Sequence, residues 1–175
     1  MKSNMTASGA QVRLYSRPGN DLTHRFPLIV ETLARLRSRS CIIDGEAVAC
    51  DDNGIAAFNL IRYRRHDDST FLYAFDLIEL NGDDLRRDPL AVRKATLASI
   101  VAKAQPGIRF NEHREGDGPT VFAHACKLGL EGIVSKRKDS AYRSGRSPDW
   151  LKMKNSNAPA AKREAEEDWG RGRGA

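Results

Sequence analysis

The chain has 175 residues, of which 40% are apolar and 30% charged, and it carries a net charge of +6. That length supports one domain with a sizeable core but not two full ones. No apolar run approaches the ~20 residues needed to cross a bilayer, and the polar start, 1–10, lacks the apolar stretch of a secretory signal. The expectation is therefore a cytoplasmic protein with no membrane partner. Cys41, Cys50 and Cys126 are odd in number and without metal-like spacing, which suits reduced thiols.

Taken in order, 11–17 alternates in the manner of a strand, with Val12 and Leu14 on one side. Pro18-Gly19-Asn20-Asp21 is a turn cluster. Ile29, Val30, Leu33 and Leu36 have helical spacing within 26–36. Cys41-Ile42-Ile43 leads through Asp44-Gly45-Glu46 into Ala47-Val48-Ala49, a strand pair or one bent strand with Gly45 at the bend. Asp51-Asp52-Asn53-Gly54 reads as a hairpin-like turn and 57–63 as a short helix. The aromatic and aliphatic run 70–80 predicts a buried strand, closed by an Asn81-Gly82 turn. Asp88 as cap and Pro89 at the first helical position begin a helix running to about 104, stopped by Pro106-Gly107. A strand at 108–111, a helix at 119–128 ending at Gly129, and strands at 132–136 and 150–154 complete the series. This mixed, irregular order argues for an α+β fold with antiparallel sheet.

Basic charge is concentrated late in the chain. Between Glu131 and Lys154 seven basic residues face three acidic ones, a net of +4, which suits an anionic partner or else a solvated face. Four segments carry chemistry: Asp44-Gly45-Glu46 inside an apolar strand, Asp76 in the middle of an apolar run, Glu131 opening the segment that ends at Lys136, and Lys152 with Lys154 beside Trp150. Strand alternation sends both of the latter lysines to one face. Carboxylates hold a hard cation such as Mg2+, paired lysines neutralise a phosphate as charge develops, and an aromatic ring stacks on a base.

In sequence, Ser16-Arg17-Pro18-Gly19-Asn20-Asp21, Asp44-Gly45-Glu46, Phe75-Asp76-Leu77, Glu131-Gly132-Ile133-Val134-Ser135-Lys136 and Trp150-Leu151-Lys152-Met153-Lys154 resemble successive motifs of ATP-dependent DNA ligases, most closely the ligase module of bacterial end-joining enzymes. The resemblance implies an α+β nucleotidyltransferase (ATP-grasp-like) domain, with antiparallel sheets and flanking helices, that is incomplete. It divides the chain into a disordered start at 1–10, a partial adenylation domain at 11–155 and a disordered polar tail at 156–175, with no oligonucleotide-binding barrel. It implies ATP and Mg2+ as cofactors and nicked or broken duplex DNA as partner. By the same resemblance Arg17 contacts nucleotide or DNA phosphate, Glu46 binds the ribose and Phe75 stacks on adenine. Glu131, with Glu46, serves the metal, and Lys152 and Lys154 hold the α-phosphate and promote its transfer. These side chains are expected to converge on one nucleotide.

The family's first motif, Lys-x-Asp-Gly, supplies the lysine that becomes adenylated and would lie before Gln11. Lys2 is followed by Asn4 and Met5 where that motif has its acid and glycine. The expectation is that the chain alone does not form enzyme–AMP; three explanations stay open, a gene remnant, a wrongly placed start, or one half of a split enzyme whose other chain supplies the lysine motif and the barrel. Two alternatives stay open: a non-catalytic nucleotide- or DNA-binding remnant, and an RNA ligase or capping-type nucleotidyltransferase.

Overall fold

The computed structural model describes residues 2–8, 11–52, 56, 58–64, 66–104, 106–145 and 147–158, with 2–8 and 58–59 described as backbone. The chain forms two compact units, Met1–Glu112 with Lys138–Tyr142, and His113–Arg137 with Arg143–Ala175.

The first unit is built on a six-stranded sheet ordered β2-β1-β3-β4-β5, with β6 also paired to β4. Its strands are β1 (Lys2–Ser8), β2 (Gln11–Ser16), β3 (Ser40–Val48), β4 (Phe71–Leu80), β5 (Asp83–Asp84) and β6 (Ile108–Phe110). All pairings are antiparallel except β4 with β6, which is parallel and departs from the purely antiparallel expectation. The reading of 1–10 as disordered is corrected over Lys2–Ser8, which pairs with β2 on one side and β3 on the other. Lys-Ser-Asn-Met-Thr-Ala-Ser has no apolar alternation to announce a strand; its hydrogen-bonding neighbours make it one. The hairpin-like turn expected at 51–54 falls partly outside the described residues; Cys50 and Ala56 form an antiparallel bridge. The tail at 156–175 lies outside them from 159 onward.

Three helices belong to this unit: α1 (Pro27–Ala34), α2 (Phe58–Arg62) and α3 (Leu90–Val101). Ile29 and Leu33 of α1 and Leu97 and Val101 of α3 join Val12, Leu14, Cys41, Ile43, Ala47, Leu72, Ala74, Leu77 and Ile108 in one core cluster. The expected cap of α3 is corrected: Pro89, extended at φ −55° and ψ 142°, occupies the cap position, and no side chain caps the helix. Its first amides are taken instead by a distant segment, Leu90 N–H donating to the Ser140 carbonyl at 3.0 Å and Ala91 N–H to that of Lys138 at 3.0 Å.

The second unit holds α4 (Gly118–Lys127) and a two-stranded antiparallel sheet of β7 (Gly132–Lys136) and β8 (Trp150–Lys154). Asp117 caps α4, its carboxylate accepting from the Thr120 N–H at 3.1 Å, with Pro119 in the first turn.

Candidate nucleotide site

Two register shifts bend the β3–β4 pairing. Asp44 pairs with Asp76 and Gly45 with Ala74, which leaves Phe75 as the extra residue of a bulge; a second shift between Ile42 and Ile43 leaves out Ile78. The bulge is why Ala74 and Leu77, three residues apart, both reach the core cluster. Phe75 is buried but stands outside that cluster. Gly45 is required at this point: a Cβ there would stand 2.8 Å from the Tyr73 carbonyl oxygen and 2.8 Å from Leu72 Cγ, with Leu72 Cδ1 closer still.

With Gly45 and Ile43 facing the core, alternation sends Asp44 and Glu46 of β3 to the opposite face. Glu46 is exposed, is the Cα partner of Tyr73 on β4, and on its other side is the Cα partner of Lys2 on β1. Arg17 is exposed and follows directly on Ser16, which pairs with Ser3, itself paired with Gly45. Arg17 thus leaves the sheet at the end where Glu46 lies. The Ser16–Asn20 loop is tied by Ser16 N–H to the Asn20 carbonyl at 2.9 Å and by Asn20 N–H to the Ser16 hydroxyl at 3.0 Å.

Next to Glu46 and Phe75 in their strands, Asp44 and Asp76, both singled out in the sequence, anchor a buried polar cluster whose other members, Arg93, Lys94 and Tyr142, sequence reasoning missed. Asp76 and Arg93 are both fully buried and make a two-pronged ion pair, Nε to Oδ1 at 2.8 Å and Nη2 to Oδ2 at 3.0 Å. Asp76 Oδ1 also accepts the Leu77 N–H at 2.9 Å, and Arg93 Nη1 donates to the Asp88 and Ser140 carbonyls. Tyr142 lies beside Arg93, its hydroxyl 3.5 Å from Asp44 Oδ2. Burial, and then the negative charge of Asp44 and Asp76, push the Tyr142 hydroxyl up to about 12. Burial lowers the neighbouring Lys94, whose ammonium donates to the Asn111 carbonyl at 3.0 Å and sits over the Phe110 ring. One signal was available: Leu90, Arg93, Lys94, Leu97 and Val101 share the buried stripe of one helix, so two bases occupy core positions and require partners.

The remaining candidates belong to the second unit. Gly132 pairs with Lys154, Val134 with Lys152 and Lys136 with Trp150, so both exposed lysines share one face of the two-stranded sheet with Trp150, as expected. Lys136 Nζ stands 4.3 Å from the centre of the Trp150 ring. Glu131 is exposed, one residue before a swivel at Gly132 (φ +153°), where a Cβ would meet Lys154 Cα at 3.0 Å. Asn155 fixes the backbone on both sides of it, its N–H donating to the Glu131 carbonyl at 2.8 Å and its Nδ2 to the Leu130 carbonyl at 2.9 Å. Thus Arg17, Glu46 and Phe75 belong to one unit, and Glu131, Lys152 and Lys154 to the other.

Among the described residues no three His, Cys, Asp or Glu side chains cluster as a ready-made metal site. Glu131 presents an exposed carboxylate, and Mg2+ keeps several waters and is commonly held by one or two carboxylates together with substrate phosphates. No described helix is long and apolar enough to cross a membrane.

Residues 3–154 match the family model of the ATP dependent DNA ligase domain, and the chain belongs to that family. It is 39% identical over 147 residues to the multifunctional non-homologous end joining protein LigD of Pseudomonas aeruginosa, a match covering 82% of this chain and 18% of that protein. The chain thus spans about a fifth of that relative's length. Among solved structures it is similar to the ligase domain of Mycobacterium tuberculosis LigD, with a TM-score of 0.74 and 34% identity over 87% of this chain and 50% of that one. It is equally similar to a mycobacterial DNA ligase D complexed with ATP and MES, with a TM-score of 0.74 and 34% identity over the same shares of the two chains.

Proposed function

We propose that this chain serves ATP-dependent sealing of nicks in DNA, through an enzyme–AMP and then a DNA–adenylate, in the repair or recombination of broken duplexes. Membership of the ligase family carries this reading; a related ligase complexed with ATP supports the choice of nucleotide.

In this proposal Phe75 stacks on adenine and Glu46 takes the ribose, with Arg17 on nucleotide or DNA phosphate. Glu131, aided by Glu46, would hold Mg2+, which when bound offsets phosphate charge and orients the triphosphate. Lys152 and Lys154 hold the α-phosphate and stabilise charge on it during transfer, a task for which two ammonium groups on one strand face are suited. The adenylated lysine is proposed to come from a Lys-x-Asp-Gly segment, which this sequence does not contain. The protein is proposed to act in the cytoplasm.

Incubation with labelled ATP and Mg2+ followed by denaturing electrophoresis tests the nucleotide chemistry. The chain alone is expected to give no covalent band; addition of a chain bearing Lys-x-Asp-Gly is expected to give one on that partner, and nick sealing on duplex DNA but not RNA. Salt-sensitive DNA binding with no ATP dependence would instead favour the non-catalytic binder.

A further inference from the structure

The Phe75 ring is held where a strand gains an extra residue, and bulges re-aim the side chains they carry. What fixes this bulge is the carboxylate of the next residue. Asp76 binds the Leu77 amide through Oδ1 and the Arg93 guanidinium through both oxygens. Arg93 is in turn tied to two backbone carbonyls, those of Asp88 and Ser140. On the β5 and β6 side, β4 is paired only at Leu72–Ala74 and at Glu79 and Leu80. The backbone there is also tied at Ala74 and Ile78, whose carbonyls accept from the Asn111 and Leu85 amides; between these two points Asp76, next to the extra residue, is bonded through both oxygens to Arg93 and gives the bulge a fixed point.

Resting on the proposed role of Phe75, we infer that Asp76 and Arg93 are positioning residues for the adenine-stacking ring. Neither touches nucleotide. They set the angle of the ring by locking the bulge, so their loss falls on recognition of the base and not on recognition of the phosphates.

The test compares binding of ATP and of inorganic triphosphate, both with Mg2+, to the full chain. Arg93→Lys keeps a cation beside Asp76 but loses the two-pronged geometry. Because Arg93→Lys itself can fail to fold, the paired replacement Asp76→Leu with Arg93→Met, which removes both buried charges together, serves as the second variant. Phe75→Leu is the reference. The expected result is an ATP affinity lowered about tenfold in the positioning variants, the scale of a lost base–ring stack, with triphosphate affinity unchanged. No further loss is expected when Arg93→Lys is combined with Phe75→Leu. Equal ATP binding by folded positioning variants, beside a loss in Phe75→Leu, overturns this inference alone. So does a parallel fall in ATP and triphosphate binding. An unaltered ATP affinity in Phe75→Leu overturns the stacking role and the inference with it.

Discussion

Arg93 is fully buried, and four of its five guanidinium N–H groups are answered by hydrogen bonds to Asp76, Asp88 and Ser140. Removing either charge leaves the other buried and unmatched. Arg93→Met alone is expected to cost on the order of 3–5 kcal/mol, measured by urea unfolding, and the paired apolar replacement much less. Tyr142 gives a pH signature. Its hydroxyl ionises at 10.0 in the unfolded chain and about 12 when folded. Between those values the unfolded state binds fewer protons, so stability is full below pH 10 and falls as pH rises toward 12. Lys94 has the opposite sign, since its folded value lies below the unfolded 10.5 and stability rises up to that point. Tyr142→Phe is expected to flatten the upper fall, followed by circular dichroism against tyrosinate absorbance.

At the scale of elements, the β3–β4 bulge and the cap of α4 are the positions most sensitive to small changes. Gly45→Ala must push Leu72 or the Tyr73 backbone aside, an overpacking expected to cost about 1–3 kcal/mol by denaturant unfolding. Asp117→Ala removes the one side-chain cap of α4 and is expected to cost about 1 kcal/mol. Most elements were legible: β2 and α1 lie where apolar spacing put them, β4 where an aromatic and aliphatic run did, α3 where its flanking prolines did, and β7 and β8 at the expected segments. Of the two readings at Gly45, a strand pair or one bent strand, the second holds, but its partner's extra residue is not legible, because a bulge is a property of two strands and leaves no mark on one. The strand Lys2–Ser8 was illegible for a related reason: its residues carry no apolar alternation, and the strand is defined by its two neighbours. Asp88 was read as a cap because Asp-Pro is a common helix opening. In the fold the Asp88 carbonyl serves Arg93, and the helix amides go to a distant chain segment.

For the whole molecule, the candidate residues of the family motifs were readable because five short segments appear in order. The groups that support them were not, since Arg93 and Tyr142 lie 17 and 98 residues from the acids they serve. The uneven charge has a measurable consequence. Seven bases against three acids between Glu131 and Lys154 predict DNA binding that weakens steeply as salt rises. Lys152→Ala with Lys154→Ala is expected to weaken it and reduce the slope of log affinity against log salt by about 2, read by fluorescence anisotropy at several ionic strengths.

The opening amides of α3 wait for carbonyls almost fifty residues downstream, at Lys138 and Ser140. The start of this helix is therefore completed only by a long-range closure, which is slower than local helix formation. Severing the gene after Glu112 would not yield a free-standing first half: that product is expected to melt gradually, without a sharp calorimetric transition, until a peptide containing 138–142 is supplied.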